Sequence, residues 1–235
     1  VISIHGGRGC PYTCNFCYHH SRPRYRAISD MMAEAEDLLT RYDANMLYFG
    51  DDLVLSSPKR AKELTEAILR LKQRVEYSVS SRFDVLSKID DDLLREMKRA
   101  GCRIMGLGIE SGSQHILDIM NKRITVEQIR TGLRRLKDVG ILPTVSIMVG
   151  QLTETIEDVE RSISLMLESV RNDSRIQYAF TITTPFPGSD LYDVALQKGI
   201  LKSHRDFYER FSPYTQMTGL SVNLSNMSDE VVIEM

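Results

Sequence analysis

The feature that most constrains the fold is an alternation along the chain. Short apolar runs at residues 1–4, 46–49, 77–81, 103–109, 144–149 and 178–182 are separated by longer segments with apolar residues at helical spacing. Most of the runs are apolar at odd and even positions alike, as expected when helices cover one face of a strand and a core fills the other. A βα unit repeated about six times implies an α/β protein with a parallel sheet and right-handed crossovers. An open doubly wound sheet and a barrel both satisfy the pattern. Six units are too few to close an eight-stranded barrel, so the barrel form is a partial one.

The helices carry start and stop signals. Ser57-Pro58 opens one whose Ala61, Leu64, Ile68, Leu71 and Val75 share a face. Thr125-Val126-Glu127-Gln128 has the form of a capping box, followed by the stripe Ile129, Leu133 and Leu136. Ile156, Val159, Ile163, Met166 and Val170 make a third stripe. Asp90 is placed to cap a helix that Gly101 ends, and Gly140 and Gly199 end two others. Residues 203–227 read as irregular chain, and 228–235 as a cap followed by a helix that does not end. The expected division is therefore a core over residues 1–202 and an extension over 203–235. The chain opens inside a strand without an initiator Met, which suggests a piece of a longer protein whose N-terminal domain lies outside it.

Composition narrows the function classes. The 235 residues suffice for one domain with a sizeable core. A formal net charge of −2 and 26% charged residues give no footprint of a nucleic-acid binder. No run reaches the roughly 18 apolar residues of a membrane helix, and no stretch of these residues reads as a signal peptide. Of four cysteines, three fall within Cys10-Pro11-Tyr12-Thr13-Cys14-Asn15-Phe16-Cys17. Clustered cysteines without an export signal point to a metal in a reducing, cytoplasmic, low-oxygen setting, not to disulfides. Three thiolates on one loop are one short of the four that close an electron-transfer iron–sulfur cluster, which would leave one iron open to another ligand.

Active sites of such folds lie at the carboxyl ends of the strands. The first run leads directly into Gly6-Gly7-Arg8-Gly9-Cys10, where glycines allow close approach to a bulky group. The second ends Gly50-Asp51-Asp52 and the third Ser80-Ser81-Arg82. In the fourth, alternation puts Gly106, Gly108 and Glu110 on one face, leaving a void with an acid at its mouth.

The C-x3-C-x2-C loop, with an aromatic before its last cysteine, resembles the signature of radical S-adenosylmethionine (SAM) enzymes. Tyr25-Arg26 with Ser29, Tyr48-Phe49-Gly50-Asp51-Asp52, the 108–113 segment from Gly108 to Ser113, Met120-Asn121-Lys122 and the 184–189 turn resemble one subgroup, the cobalamin-binding-domain radical enzymes that include magnesium-protoporphyrin ester cyclase relatives. The resemblance implies a partial (β/α)6 TIM-like barrel and a [4Fe–4S] cluster on Cys10, Cys14 and Cys17. It implies SAM bound through Phe16, Glu110, Ser146, Lys122 and Arg82, with Asp51 and Asp52 on the cofactor or substrate side. It further implies a small-molecule substrate, a reductant such as flavodoxin or ferredoxin, and cobalamin supplied by a domain absent from this chain. The implied chemistry is a 5′-deoxyadenosyl radical used for methylation or oxidative cyclisation. One departure is the turn Gly150-Gln151-Leu152-Thr153-Glu154-Thr155, where the family has Gly-Leu-Pro-Gly-Glu-Thr.

Plainer readings stand beside these. The cysteines could hold structural zinc with His19 or His20 as fourth ligand, or a non-catalytic iron–sulfur centre. A tRNA methylthiotransferase shares several motifs, but a basic surface would be expected of it. Glu110 could cap the helix near Ser113, Arg82 could pair with Asp84, Lys122 and Arg123 could be solvated, and Asp51-Asp52 could mark a turn. Cys102 reads as a small buried hydrophobe.

Overall fold

The computed structural model describes residues 1–18, 22–211 and 219–234. In chain order the strands are β1 (Ile2–Ile4), β2 (Gly7–Arg8), β3 (Arg24–Tyr25), β4 (Met46–Phe49), β5 (Glu76–Ser81), β6 (Cys102–Glu110), β7 (Leu142–Val149) and β8 (Gln177–Ile182). The helices are α1 (Ile28–Arg41), α2 (Pro58–Leu69), α3 (Phe83–Leu86), α4 (Asp91–Arg99), α5 (Gln114–Ile119), α6 (Val126–Val139), α7 (Ile156–Asn172), α8 (Asp190–Gln197), α9 (His204–Phe211) and α10 (Asp229–Glu234). Six strands form one sheet in the order β1-β4-β5-β6-β7-β8, every pair parallel. Sheet order follows chain order, so each βα unit adds its strand to the same edge, as in a barrel that does not close. All six strands expected from the sequence are present. A two-stranded antiparallel ribbon, β2 with β3, flanks the cysteine loop.

The main core joins the helix-facing residues of the strands to the inner faces of the helices. Leu47 and Phe49 of β4, Val79 of β5 and Met105 of β6 meet Met31, Leu39, Leu64, Ile68, Leu133 and Leu136. Each such side chain contributes about 1.5–3 kcal/mol by leaving water. Caps set the helix starts. Ser57 Oγ accepts from Arg60 N–H and Asp90 from Leu93 N–H, and Thr125 with Gln128 forms the expected capping box. Gly140 ends α6 in the left-handed region at φ 82°. Cys102 is fully buried at the start of β6, and burial pushes its thiol up to about 12.

Two local expectations differ from the fold. Helix α7 buries only part of the stripe read from its sequence: Val159 is buried and Met166 half-buried, but Ile156 and Ile163 are 46% and 43% exposed, and Val170 is exposed as well. The helix is rotated so that Asp158, Val159, Ser162, Leu165 and Ser169 face inward. The reason is a close approach to the loop after β6. Gly112 N–H donates to Ser162 Oγ at 2.8 Å and Ser113 Oγ donates to Asp158 Oδ1 at 2.6 Å, contacts that larger apolar residues could not make. The second difference is at residues 204–211, expected to be irregular. They form α9, started by Ser203 Oγ accepting from Asp206 N–H and held by Phe207, which packs on Phe186, Tyr192 and Phe211. These residues, with Leu191, Leu201, Val222 and Leu224, make a second small core against which Phe16 rests.

A methyl group at Gly112 would lie 2.6 Å from the α7 backbone at Arg161 and Ser162, which cannot yield as a flexible side chain would. Gly112→Ala is therefore expected to cost about 2 kcal/mol in urea unfolding. Gly106→Ala, whose methyl meets nothing nearer than 3.6 Å, should cost well under half of that.

Candidate functional site

The loop that follows β1 carries the three cysteines and is anchored from several strand ends. Asp51, just after β4, accepts from Gly6 N–H and Gly7 N–H at 2.8 and 3.0 Å, and Asp52 accepts from Gly9 N–H at 2.9 Å. Tyr12 OH donates to Asp84 Oδ2 at 2.6 Å. Asn15 N–H donates to Met120 O and its side-chain amide to Ile119 O, while Asn121 Nδ2 donates to Thr13 O and Oγ1. Leu191 N–H, at the start of α8, donates to Asn15 O. Of these anchoring residues only Asp51 and Asp52 were candidates from the sequence. Tyr12, Asn15 and Asn121 fall in quoted motifs and Asp84 reads as a local partner of Arg82, but their anchoring roles carry no local signal, because those contacts lie tens of residues away.

Cys10, Cys14 and Cys17 face a cavity of about 830 Å³ at the carboxyl ends of the strands. Phe16, Asp52, Arg82, Glu110, Lys122 and Ser146 line the same cavity. Asp51 sits behind the wall, its Oδ1 on the glycine backbone. Tyr12, Tyr18, Ser80, Ser81, Gln177 and Tyr178, not singled out from the sequence, complete much of the lining. Tyr18 also packs its ring over Gly188, where a methyl group would lie 2.2 Å from it and the backbone is left-handed at φ 91°.

Glu110 is held in an unusual way. Its backbone is in the left-handed region at φ 63°, and the pairing of β6 with β7 shifts register between Gly108 and Glu110. The side chain folds back over Gly108, where a Cβ would lie 2.0 Å from Glu110 Oε1 and 2.6 Å from Lys122 Nζ. The two glycines thus have different reasons: Gly106 opens space and Gly108 admits an ion pair. Lys122 Nζ donates to Glu110 Oε1 at 2.6 Å, and Ser146 Oγ donates to Oε2 at 2.7 Å. Glu110 and Lys122 are 6% and 5% exposed. Lys122 is neither solvated nor remote: its Nζ is 5.6 Å from the centre of the Phe16 ring. Glu110 gives both oxygens to these partners, whereas Ser113 is the N-cap of α5.

Arg82 is buried and fully engaged. Nε donates to Asp84 Oδ1 at 2.8 Å, one terminal nitrogen donates to Lys122 O, and the other lies 3.5 Å from Cys14 Sγ. Its guanidinium stacks 3.6 Å from the centre of the Tyr12 ring. The hydrogen bond with Cys17 holds the Cys14 thiol below the ordinary range against the opposing effect of burial, and the Lys122 and Arg82 charges add to the lowering. That same bond, with burial, pushes Cys17 up.

The turn after β7 is closed on itself. Buried Glu154 accepts from Gly150 N–H and Gln151 N–H through Oε2, and Gln151 Nε2 donates to Thr183 Oγ1 at 2.7 Å. Thr153, where the family pattern has glycine, adopts φ 61°. Burial raises the Glu154 carboxyl to about 7.

The donor set fits a cluster held by three cysteines. Three soft sulfurs on one loop face a cavity with room beside them and a buried cation and carboxylate on its wall. Among the described residues no three His, Cys, Asp or Glu side chains come together as a single-ion site. His19 and His20, the fourth ligands of the zinc reading, lie outside the described residues. No described helix is long and apolar enough to cross a membrane.

Removing one partner of a buried ion pair leaves an uncompensated charge. Lys122→Met should lower unfolding free energy by about 3 kcal/mol, and adding Glu110→Gln should recover part of the loss in urea titrations. Glu154 gives a pH signature. Its folded value lies above its ordinary 4.5, so the folded state holds the proton more tightly and stability falls as pH rises from about 4.5 to about 7. The expected loss is on the order of 2–3 kcal/mol. Glu154→Gln, which mimics the protonated acid, should flatten that slope between pH 5 and pH 8.

The family model of the radical SAM superfamily matches residues 4–166. An uncharacterised methyltransferase of Pyrococcus horikoshii is 31% identical over 202 residues, covering 83% of this chain and 42% of that protein. The anaerobic magnesium-protoporphyrin IX monomethyl ester cyclase of Rubrivivax gelatinosus is 30% identical over 189 residues, covering 79% and 33%. The chain thus spans about two-fifths or less of these two relatives. Among solved structures, a radical SAM methyltransferase from Kitasatospora setae with cobalamin and a [4Fe–4S] cluster bound has a TM-score of 0.71 at 20% identity, covering 83% of this chain and 36% of that one. A cobalamin-dependent radical SAM enzyme with aqua-cobalamin and SAM bound has a TM-score of 0.70 at 16% identity, covering 84% and 35%. The parallel sheet in chain order is the partial barrel these structures share. With more than half of its length matched by the family model, the chain belongs to the radical SAM superfamily.

Proposed function

We propose that this chain is the catalytic core of a radical SAM enzyme acting on a small molecule, with methylation or oxidative cyclisation as the outcome. The observation that carries the reading is the convergence of Cys10, Cys14 and Cys17 on one cavity with Phe16, Glu110, Ser146 and Lys122. When bound, a [4Fe–4S] cluster supplies the electron that cleaves SAM to methionine and a 5′-deoxyadenosyl radical, which takes a hydrogen atom from substrate.

The chain's own residues divide the remaining work. Cys10, Cys14 and Cys17 are the cluster ligands, on a loop held by Asp51 and Asp52. The Phe16 ring offers an apolar face to a purine. Glu110 and Ser146 present acceptor and donor groups suited to ribose hydroxyls or an ammonium. Lys122 is the cation placed to meet a carboxylate. The Glu110–Lys122 pair already has the charge pattern complementary to a zwitterionic amino acid, so binding would exchange partners and not create bare charges. Cobalamin use extends this reading: two solved structures that share the fold, at 20% and 16% identity, have cobalamin bound. The electron donor in this reading is a low-potential protein such as flavodoxin or ferredoxin.

The test is anaerobic reconstitution with iron and sulfide. The expected result is about four irons and four sulfides per chain, with 5′-deoxyadenosine formed from SAM on addition of dithionite. Zinc in place of iron, or a cluster indifferent to SAM, would overturn the reading. Cys14→Ala is expected to abolish 5′-deoxyadenosine formation, read by chromatography of the quenched reaction.

A further inference from the structure

We propose that Arg82 is a positioning residue that sets the reduction potential of the metal centre. Its guanidinium directs an N–H at the Cys14 sulfur and so favours the reduced state of a cluster bound there. The inference rests on the reading of the three cysteines as cluster ligands.

Each of the three guanidinium nitrogens of Arg82 has a partner. Nε is on Asp84, one terminal nitrogen is on the Lys122 carbonyl, and the other is 3.5 Å from Cys14 Sγ. The face of the group lies on the Tyr12 ring at 3.6 Å, and the Tyr12 hydroxyl closes the circle by donating to Asp84. Tyr12 itself lies between Cys10 and Cys14, so the loop that carries the sulfurs also holds the cation against them. The side chain cannot swing away without breaking several of these contacts at once. Arginine is not deprotonated in proteins, so the charge is permanent.

At 6% exposure the guanidinium acts through little water. A charge in such surroundings is felt far more strongly than at the surface. Hydrogen bonds to ligand sulfur and nearby charge are two of the levers that set cluster potentials. Reduction adds one electron to the centre, from a one-electron donor such as titanium(III) or dithionite, and moves no proton. The added negative charge spreads onto the sulfurs, so an N–H aimed at one of them stabilises the product more than the reactant. Asp84 offsets the charge without blocking the N–H, so the two residues should act in opposite senses.

The reconstituted chain, without SAM, is titrated anaerobically with the reduced cluster read by electron paramagnetic resonance. At the potential that half-reduces the wild-type centre, Arg82→Met is expected to lower the reduced-to-oxidised ratio about tenfold, equivalent to ~59 mV for one electron. Asp84→Asn is expected to raise the ratio. Arg82→Lys keeps the charge but not the fork and should fall between wild type and Arg82→Met. Should Arg82→Met not retain four irons, the comparison of Arg82→Lys with Asp84→Asn decides, again by opposite signs. An unchanged ratio in the arginine variants, or the same direction of change in the arginine and aspartate variants, overturns the proposal. A wild-type chain that takes up no cluster overturns instead the ligand reading beneath it.

Discussion

A loop that must bring three sulfurs to one place has no hydrogen-bond ladder of its own. Its backbone groups still need partners wherever water is excluded. In this chain those partners come from the far ends of the strands and from the turns after them: Asp51 and Asp52 for the glycine N–H groups, and the Ile119–Asn121 segment for Thr13 and Asn15. Leu191 adds a tie from the first turn of α8. The cysteine geometry is therefore a property of the assembled sheet. Adding strands in chain order places the ends of β4, β5 and β6 around one mouth, and the loop is stretched across it.

The same arrangement explains why the carboxylate and the ammonium of the site are buried. A buried ion pair is poor evidence for stability, since its desolvation can exceed its attraction. Glu110 adds backbone strain to that cost, with φ at 63° and a register shift beside it. Non-glycine residues held in this region persist where the surroundings over-determine them. Here Lys122, Ser146 and the missing side chain of Gly108 do so together. A chain selected for stability alone would have little use for the combination, whereas a binding site gains two oriented polar groups that do not need to reorganise.

Much of this was legible in the sequence, for identifiable reasons. The strands announced themselves by apolar runs, and the cysteines by spacing. Glu110 was marked by two glycines at alternate positions, although only Gly106 opens space and Gly108 serves the carboxylate itself. Periodicity points to the wrong face of α7 because it assumes that the buried stripe is the most apolar one. Ser162 and Asp158 win that face through hydrogen bonds to the Gly112–Ser113 backbone and hydroxyl, and the isoleucines are left outside. The anchoring roles of Tyr12, Asn15, Asp84 and Asn121 are not legible, because each depends on a contact across the fold, whereas the local Arg82–Asp84 pair is legible and forms at 2.8 Å. Arg82 and Lys122 were named as separate candidates, while the hydrogen bond that joins the Arg82 side chain to the Lys122 carbonyl is a purely tertiary fact.

The pairing of charges in the cavity has a further consequence for how the site can exist at all. Two buried cations line the cavity that the cysteines face, and each also has its own carboxylate: Lys122 with Glu110, and Arg82 with Asp84. Without those acids, the folded chain would have to bury two bare cations unless a metal centre was already in place, at several kcal/mol each. With them, each cation has a compensating charge inside the fold, and the loop is held by its backbone anchors. The compensation is not complete cancellation. A carboxylate neutralises charge at a distance, but the N–H vectors that point at Cys14 and the Lys122 ammonium that lies near Phe16 keep their direction. The site thus trades net charge for orientation, which is the property a metal centre and a zwitterionic cofactor need from the protein around them.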